Sequence, residues 1–266
     1  MLCRRSLLLL LVSCAISAHL AAQQTTTSQT VQKDPQAVSV LTQALNAAGG
    51  PAALSPIQDF KGTGTITYYW GGEEVNASVT VKGRGTGQFR LDANLPDGVR
   101  SWAVNNGTGF LKNTDGTVKV AGYDNSVNFG SLTFPYAYMV TLLQDSSMSI
   151  SYVGLETAKN GNKVQHIQIH KVFTPDPGGM FGKLTTRDFF IDPATFQVVS
   201  TLDMVHPKNA SNVNIPHEMQ FSNYQRVNGV FVPFTVTEFT AGQRTFTLQL
   251  SEISFNDGLQ DVDFQE

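Results

Sequence analysis

After residue 57 the chain alternates apolar and polar side chains in one short segment after another. A sequence patterned with a period of two can bury its apolar half only by pairing strands into a sheet. Residues 60–70 (FKGTGTITYYW) set Ile66, Tyr68 and Trp70 on one face and Thr65, Thr67 and Tyr69 on the other. Seven or more later segments repeat the pattern. Phe89 and Leu91 alternate with Gln88 and Arg90, and Phe246 and Leu248 hold one phase before parity flips to Ile253 and Phe255. Such a flip predicts a β-bulge near Ser251 and Glu252. A sheet this large has an apolar face that something must cover.

Few helices are on offer. Asp34-Pro35 gives an N-cap and a proline in the first turn, Val38, Leu41 and Leu45 recur at helical spacing, and Gly49-Gly50 supplies a stop. Residues 51–54 add a short second turn. A further amphipathic helix is predicted over 136–144, where Tyr138, Met139, Leu142 and Leu143 lie three and four residues apart. The Pro/Gly-rich stretch 174–183 carries Met180 and Phe181 and reads as a rim loop too apolar for a passive connection.

The first 22 residues have Arg4 and Arg5, an apolar run from Leu7 to Val12, and small residues near Ala21 and Ala22. That is the pattern of a secretory signal peptide, too short and wrongly flanked for a spanning helix. The rival reading is a lipoprotein signal, because Leu11-Val12-Ser13-Cys14 resembles a lipobox. Cys14, however, lies only nine residues beyond Arg5, and apolar sequence continues to Ala22. Export to the periplasm with cleavage near Ala22 is therefore expected. A flexible leader (23–33) and a single domain (34–266) would follow.

Both cysteines, Cys3 and Cys14, fall inside the signal, so the mature domain would be held by burial without disulfides. The formal charge of −3 loses Arg4 and Arg5 on cleavage and becomes −5. No basic stripe marks a nucleic-acid partner.

Signatures of catalysis are missing from this pattern. His166 and His170 share a strand face, but four residues at about 3.3 Å each put them roughly 13 Å apart. One zinc with ligands near 2 Å cannot use both. His217-Glu218 begins like HExxH, but position 221 is Phe and the segment reads as strand. Gly83, Gly85 and Gly87 make a corner with no helix behind them to favour a phosphate. Asp261 and Asp263 read as part of a solvated terminus. No cofactor, metal or catalytic residue is assigned, and the chain is read as a non-enzyme.

Four stretches carry a resemblance: FRLDANLPDG (89–98), DFFIDPATFQVVS (188–200), NYQRVNGVFVPF (223–234) and ISFNDGLQDVDFQ (253–265). With the signal peptide, leading helix and mid-chain helix, their order resembles the LolA/LolB-like superfamily of periplasmic lipoprotein carriers and related lipid-binding proteins. The resemblance spans essentially the whole mature chain. It implies an incomplete β-barrel, a strongly curved antiparallel sheet with helices plugging the concave face and an apolar cavity between them.

On that reading Ile66, Tyr68, Trp70, Phe89, Leu91, Phe246 and Leu248 line a hydrophobic ligand site. Tyr136, Tyr138, Met139, Leu142, Met180 and Phe181 form a lid or rim. The carriers' lid is held by an arginine on an early strand, and the resemblance gives Arg90 that slot, although parity points it away from Phe89 and Leu91. The expected partners are a lipid or lipoprotein acyl chains, with a transient membrane or lipoprotein contact and a monomeric chain. The competing reading is an interaction module of the same fold with a filled interior. A void of about 300 Å³ or more separates the two, because ligand sites start near that size.

Overall fold

The computed structural model describes residues 30–126, 134–207 and 210–266. The segment read as a signal peptide, Cys14 within it, and the side chain of Tyr138 lie outside what it describes.

The first helix forms where its caps predict. Asp34 Oδ1 accepts from the N–H groups of Gln36 (2.7 Å) and Ala37 (3.0 Å), and α1 runs Pro35–Ala48. It ends at Gly49, whose φ of 136° suits glycine. A Cβ there would also sit 2.7 Å from the carbonyl oxygen of Gly229. Pro51–Leu54 forms α2.

Thirteen strands follow: Asp59–Trp70 (β1), Glu73–Arg84 (β2), Gln88–Leu95 (β3), Gly98–Asn105 (β4), Thr108–Lys112 (β5), Val118–Ala121 (β6), Met148–Thr157 (β7), Lys163–Lys171 (β8), Arg187–Ile191 (β9), Val198–Val205 (β10), Ile215–Val227 (β11), Val230–Thr240 (β12) and Gln243–Phe255 (β13). All belong to one antiparallel sheet in the order β6-β5-β4-β3-β2-β1-β13-β12-β11-β10-β9-β8-β7. Two meanders, β1–β6 and β7–β13, are thus fused along β1 and β13. The sheet is not closed, and β6 and β7 are its edges.

The bulge falls where the parity flip predicts. Thr63 pairs with Glu252 and Gly64 with Leu250, leaving Ser251 as the extra residue.

Curvature is visible in one exchange of hydrogen bonds. Asn125 lies in the short helix α3 (Tyr123–Ser126), just beyond β6, and His206 lies just beyond β10. Asn125 Nδ2 donates to the His206 carbonyl (2.8 Å), and the His206 N–H donates to Asn125 Oδ1 (2.7 Å). Strands far apart in the sheet order are therefore brought together. The helix α4 (Pro135–Gln144) packs with α1 inside the curl, and both contribute to a core shared with the inward residues of nearly every strand. The fold is mainly β, an incomplete barrel plugged by helices.

Three local features differ from the sequence expectation. The end of the leader is paired: Ile150 N–H donates to the Gln32 carbonyl (2.7 Å) and Asp34 N–H to the Ile150 carbonyl (2.9 Å), covering part of the β7 edge. Within the stretch expected as a rim loop over 174–183 a helix begins, α5 (Met180–Leu184), and the next strand starts at Arg187. Asp176 caps it, accepting from the N–H groups of Phe181 and Gly182.

The third is the C-terminus, which is docked rather than solvated. Asp59 accepts from the N–H groups of Asp257, Gly258 and Leu259, Lys82 pairs with Asp263 (2.7 Å), and Arg84 pairs with Asp261. Phe264, in the 3-10 turn Asp261–Phe264, is fully buried. The turn lies on the outer face of the sheet, held by side chains whose alternation was visible but whose partner was not.

Candidate functional site

Along each strand the inward-facing residues divide into two groups. One group packs against α1 and α4. Ile66, Phe89 and Leu248 have no exposed surface, and Tyr136, Met139 and Leu142 of α4 are buried with them. Tyr136 is also tethered: its hydroxyl accepts from the Val198 N–H (3.4 Å), while the Tyr224 hydroxyl donates to the Val198 carbonyl (2.6 Å). Burial raises the pKa of both phenols. This half of the interior is packed, apart from a pocket of about 110 Å³ between α2, the start of β1 and α4.

The other group borders a cavity of about 490 Å³. Its apolar wall is built by Tyr68 and Trp70 of β1, Leu91 of β3, Trp102 of β4, Phe110 and Leu111 of β5, and Phe246 of β13. Tyr68 and Trp70 stack with ring centroids 4.6 Å apart, and the edge of Tyr68 meets Phe246 at 6.2 Å. The Arg100 guanidinium lies over both stacked rings, 5.1 Å from Trp70 and 5.8 Å from Tyr68. Burial pushes the Tyr68 phenol up to about 12, against the pull of Arg100. Trp70 remains 39 % exposed and Val120 71 %, so the cavity opens to solvent at these residues of its rim.

Between the filled half and the cavity runs a row of buried charges across four adjacent strands. Arg187 Nη2 donates to Asp203 Oδ2 (2.8 Å), Asp203 Oδ1 meets His217 Nδ1 (2.7 Å), and His217 Nε2 meets Glu238 Oε1 (3.0 Å). Thr245 donates to Glu238. Each of the four charged residues is more than nine-tenths buried. Arg187 and Asp203 face a small void beside Pro135 at the start of α4, whereas His217 and Glu238 face the large cavity. Burial opposes the charge on His217, but Asp203 and then Glu238 outweigh it and hold the imidazole at about 10. Burial likewise opposes Asp203, and Arg187 and His217 keep its carboxyl below the usual range. The row is internally neutral and fully paired, which is how buried charge is tolerated.

No protein-family model matches the chain, and no curated protein matches it. Solved structures do. A putative outer membrane lipoprotein-sorting protein domain from Vibrio parahaemolyticus superposes with a TM-score of 0.52 at 14 % identity, over 86 % of this chain and 96 % of that one. A LolA superfamily protein from Nitrosomonas europaea gives 0.52 at 9 % identity, over 86 % and 97 %. The chain has a LolA-like fold. A DUF1329 family protein from Desulfovibrio piger shares it, with a TM-score of 0.52 at 12 % identity over 88 % and 98 % of the two chains.

Within this LolA-like frame the predicted site residues separate. Tyr68, Trp70, Leu91 and Phe246 meet at the cavity; Ile66, Phe89 and Leu248 sit in the filled half. Tyr136, Met139 and Leu142 are core rather than rim. Met180 and Phe181 are about half exposed on α5, with Phe181 packed on Phe173 (5.5 Å), and neither borders the cavity. Arg90 faces outward. Its Nε donates to both oxygens of Asp92 (2.9 and 2.8 Å) and its Nη1 to the Gln265 carbonyl, so it holds the C-terminal segment, not α4.

Sequence reasoning missed Arg100, Trp102, Phe110 and the buried row. A signal for the row was present: His217 is in phase with Met219 and Phe221, Glu238 with Phe234 and Val236, and Arg187 with Phe189 and Ile191. A charged residue in the apolar phase of a strand is an inward charge that needs a partner. Among the described residues no group of three or more His, Cys, Asp or Glu is placed to hold a metal ion.

Proposed function

We propose that the chain is an exported bacterial protein that binds a hydrophobic ligand, a lipid or the acyl chains of a lipoprotein, without catalysing a reaction on it. The observation that carries this reading is the cavity of about 490 Å³ walled by Tyr68, Trp70, Leu91, Trp102, Phe110 and Phe246. Its volume falls in the range of small-molecule sites, from roughly 300 to 1,000 Å³. Apolar walls suffice for such a ligand, since each methylene taken from water contributes about 0.8 kcal/mol. The titratable groups nearest the cavity, His217 and Glu238, are already committed to each other and to Asp203 and Thr245. That commitment suits a wall better than an acid–base pair.

Only part of the lining expected from sequence serves this proposal. The ligand would enter past Trp70 and lie along Tyr68, Leu91 and Phe246, with α4 packed in the core away from the cavity instead of acting as a lid. Likeness of fold to the putative outer membrane lipoprotein-sorting protein domain from Vibrio parahaemolyticus supports a lipid cargo. The test is organic extraction of the purified chain followed by mass spectrometry, with displacement of a fluorescent fatty-acid probe in parallel. A co-purified lipid or a saturable displacement is expected; clean extracts together with an inert probe would leave the filled-interior interaction module as the better reading.

A further inference from the structure

Three of the four charged residues bordering the cavity are cationic. Arg100, Lys119 and His217 face it against the single carboxylate of Glu238, in a chain whose formal charge is −3. Glu238 is engaged by His217 (3.0 Å) and by Thr245. Arg100 and Lys119 form no salt bridge with any carboxylate among the described residues, and the one side-chain contact of Arg100 to an acceptor is a long 3.5 Å approach to Asn113 Oδ1. The guanidinium carbon lies 5.1 Å from the Trp70 ring and 5.8 Å from the Tyr68 ring, a cation held at the aromatic wall with N–H groups that no carboxylate takes among the described residues.

A second observation concerns His206 on the same wall. Its backbone is clamped by Asn125 on both sides, and its Nδ1 lies 2.9 Å from the Val213 carbonyl, which can only accept. Nδ1 therefore carries the proton. Nε2 is left buried with no hydrogen-bond partner among the described residues. With Nδ1 protonated, Nε2 is an acceptor, so a donor on the ligand, a hydroxyl or the P–OH of a monoprotonated phosphate, would satisfy it, and a bare carboxylate would not.

We propose that this cavity takes an amphiphile with an anionic head, carboxylate or phosphate, held by Arg100 and Lys119 while its hydrocarbon chain lies along Tyr68, Leu91 and Phe246. The inference rests on the hydrophobic-ligand reading above and adds the head-group chemistry. Arg100, half-buried against the aromatic wall, and Lys119, exposed at its rim, set two cations beside apolar surface without a salt bridge to either; a chain that only needed grease there would place leucine or valine.

The experiment is competition against an uncharged naphthylamine dye by four ligands of one chain length: palmitate, hexadecyl phosphate, hexadecanol and hexadecylammonium. The full mature chain is used. At least one of the two anions should displace the dye with a dissociation constant tenfold or more below that of hexadecanol, the gain of about one charge-assisted contact. Palmitate alone would name the head as carboxylate, and hexadecyl phosphate alone as phosphate. Arg100→Gln and Lys119→Gln should each shrink the anion-to-alcohol ratio, and so should added salt. Lys119 is exposed on an edge strand, so its variant keeps the test alive if Arg100→Gln does not fold. Hexadecanol or hexadecylammonium binding as tightly as both anions, or a ratio unchanged in Lys119→Gln, overturns the head-group proposal. Failure of all four to displace the dye removes the hydrophobic-ligand reading itself.

Discussion

His217 Nδ1 lies 2.7 Å from Asp203 Oδ1, and both side chains are buried at the boundary between the filled core and the cavity. The pair titrates with a defined sign. His217 is held at about 10 when folded, above its unfolded value of about 6.5. Its stabilisation is complete below that unfolded value and is lost as pH climbs through the folded one. Asp203 behaves oppositely: depressed when folded, it contributes above its unfolded pKa and loses that contribution as acid titrates it. Urea unfolding should therefore show stability falling as pH rises from about 6.5 toward 10, and His217→Gln should flatten that slope. His166, also raised through Glu156 and Asp188 against the effect of burial, adds the same trend to both proteins and cancels in the comparison. Parallel profiles would mean that His217 is neutral in the folded protein.

Removing one member of the row is expected to be worse than removing charge in general. Arg187→Ala strands Asp203 and His217 behind a lost guanidinium, and truncating one partner of a buried pair costs about 3–5 kcal/mol. Arg90→Ala, which frees a half-buried Asp92 and one carbonyl, should cost less than about 1 kcal/mol. Equal losses in denaturant midpoint would argue that burial of the row adds nothing.

The helix α4 is expected to behave as core. Met139→Ala deletes a side chain with no exposure and should cost about 2–5 kcal/mol. Tyr136→Phe removes only the hydroxyl that meets the Val198 N–H, for about 1 kcal/mol. If α4 were instead a lid that leaves the sheet to admit ligand, Met139→Ala would speed ligand entry with little change in unfolding midpoint.

What could be read from the chain follows from what makes each feature local. The cap at Asp34, the stop at Gly49, the period of two and the bulge at Ser251 are settled by neighbours within a few residues, and all were legible. The cavity was only half legible. Tyr68, Leu91 and Ile66 carry the same alternation, yet Tyr68 and Leu91 border the cavity while Ile66 does not, and that depends on where the helices end in space. Trp102 and Phe110 belong to strands whose position opposite β10 and β11 is set by the curl of the whole sheet. Arg90 was misplaced for a related reason: parity gave its face correctly, but its partner Gln265 lies 175 residues away.

The C-terminal segment gives a prediction that separates anchoring by burial from anchoring by charge. Phe264 has no exposed surface, so Phe264→Ala should cost about 3–5 kcal/mol and raise amide exchange in β2 to β4. Asp261 is solvent-exposed, and although hydrogen bonds from Gln88 and then Arg84 lower its pKa, Asp261→Asn should leave the unfolding midpoint nearly unchanged. A large effect of Asp261→Asn with none for Phe264→Ala would reverse the assignment.

Both tryptophans of the chain, Trp70 and Trp102, border the cavity. Intrinsic fluorescence thus reports on that space with no background from elsewhere. Trp70 is 39 % exposed and stacked on Tyr68, so a hydrocarbon chain entering beside it replaces water and should shift the emission to the blue. Titrating the chain with a long-chain amphiphile should give a saturable shift, largely retained in Trp102→Phe and largely lost in Trp70→Phe. Loss in Trp102→Phe instead would place the ligand deeper, against β4 and β5. An emission spectrum indifferent to a ligand shown to bind by dye displacement would argue for binding outside this cavity, since both indole rings border it.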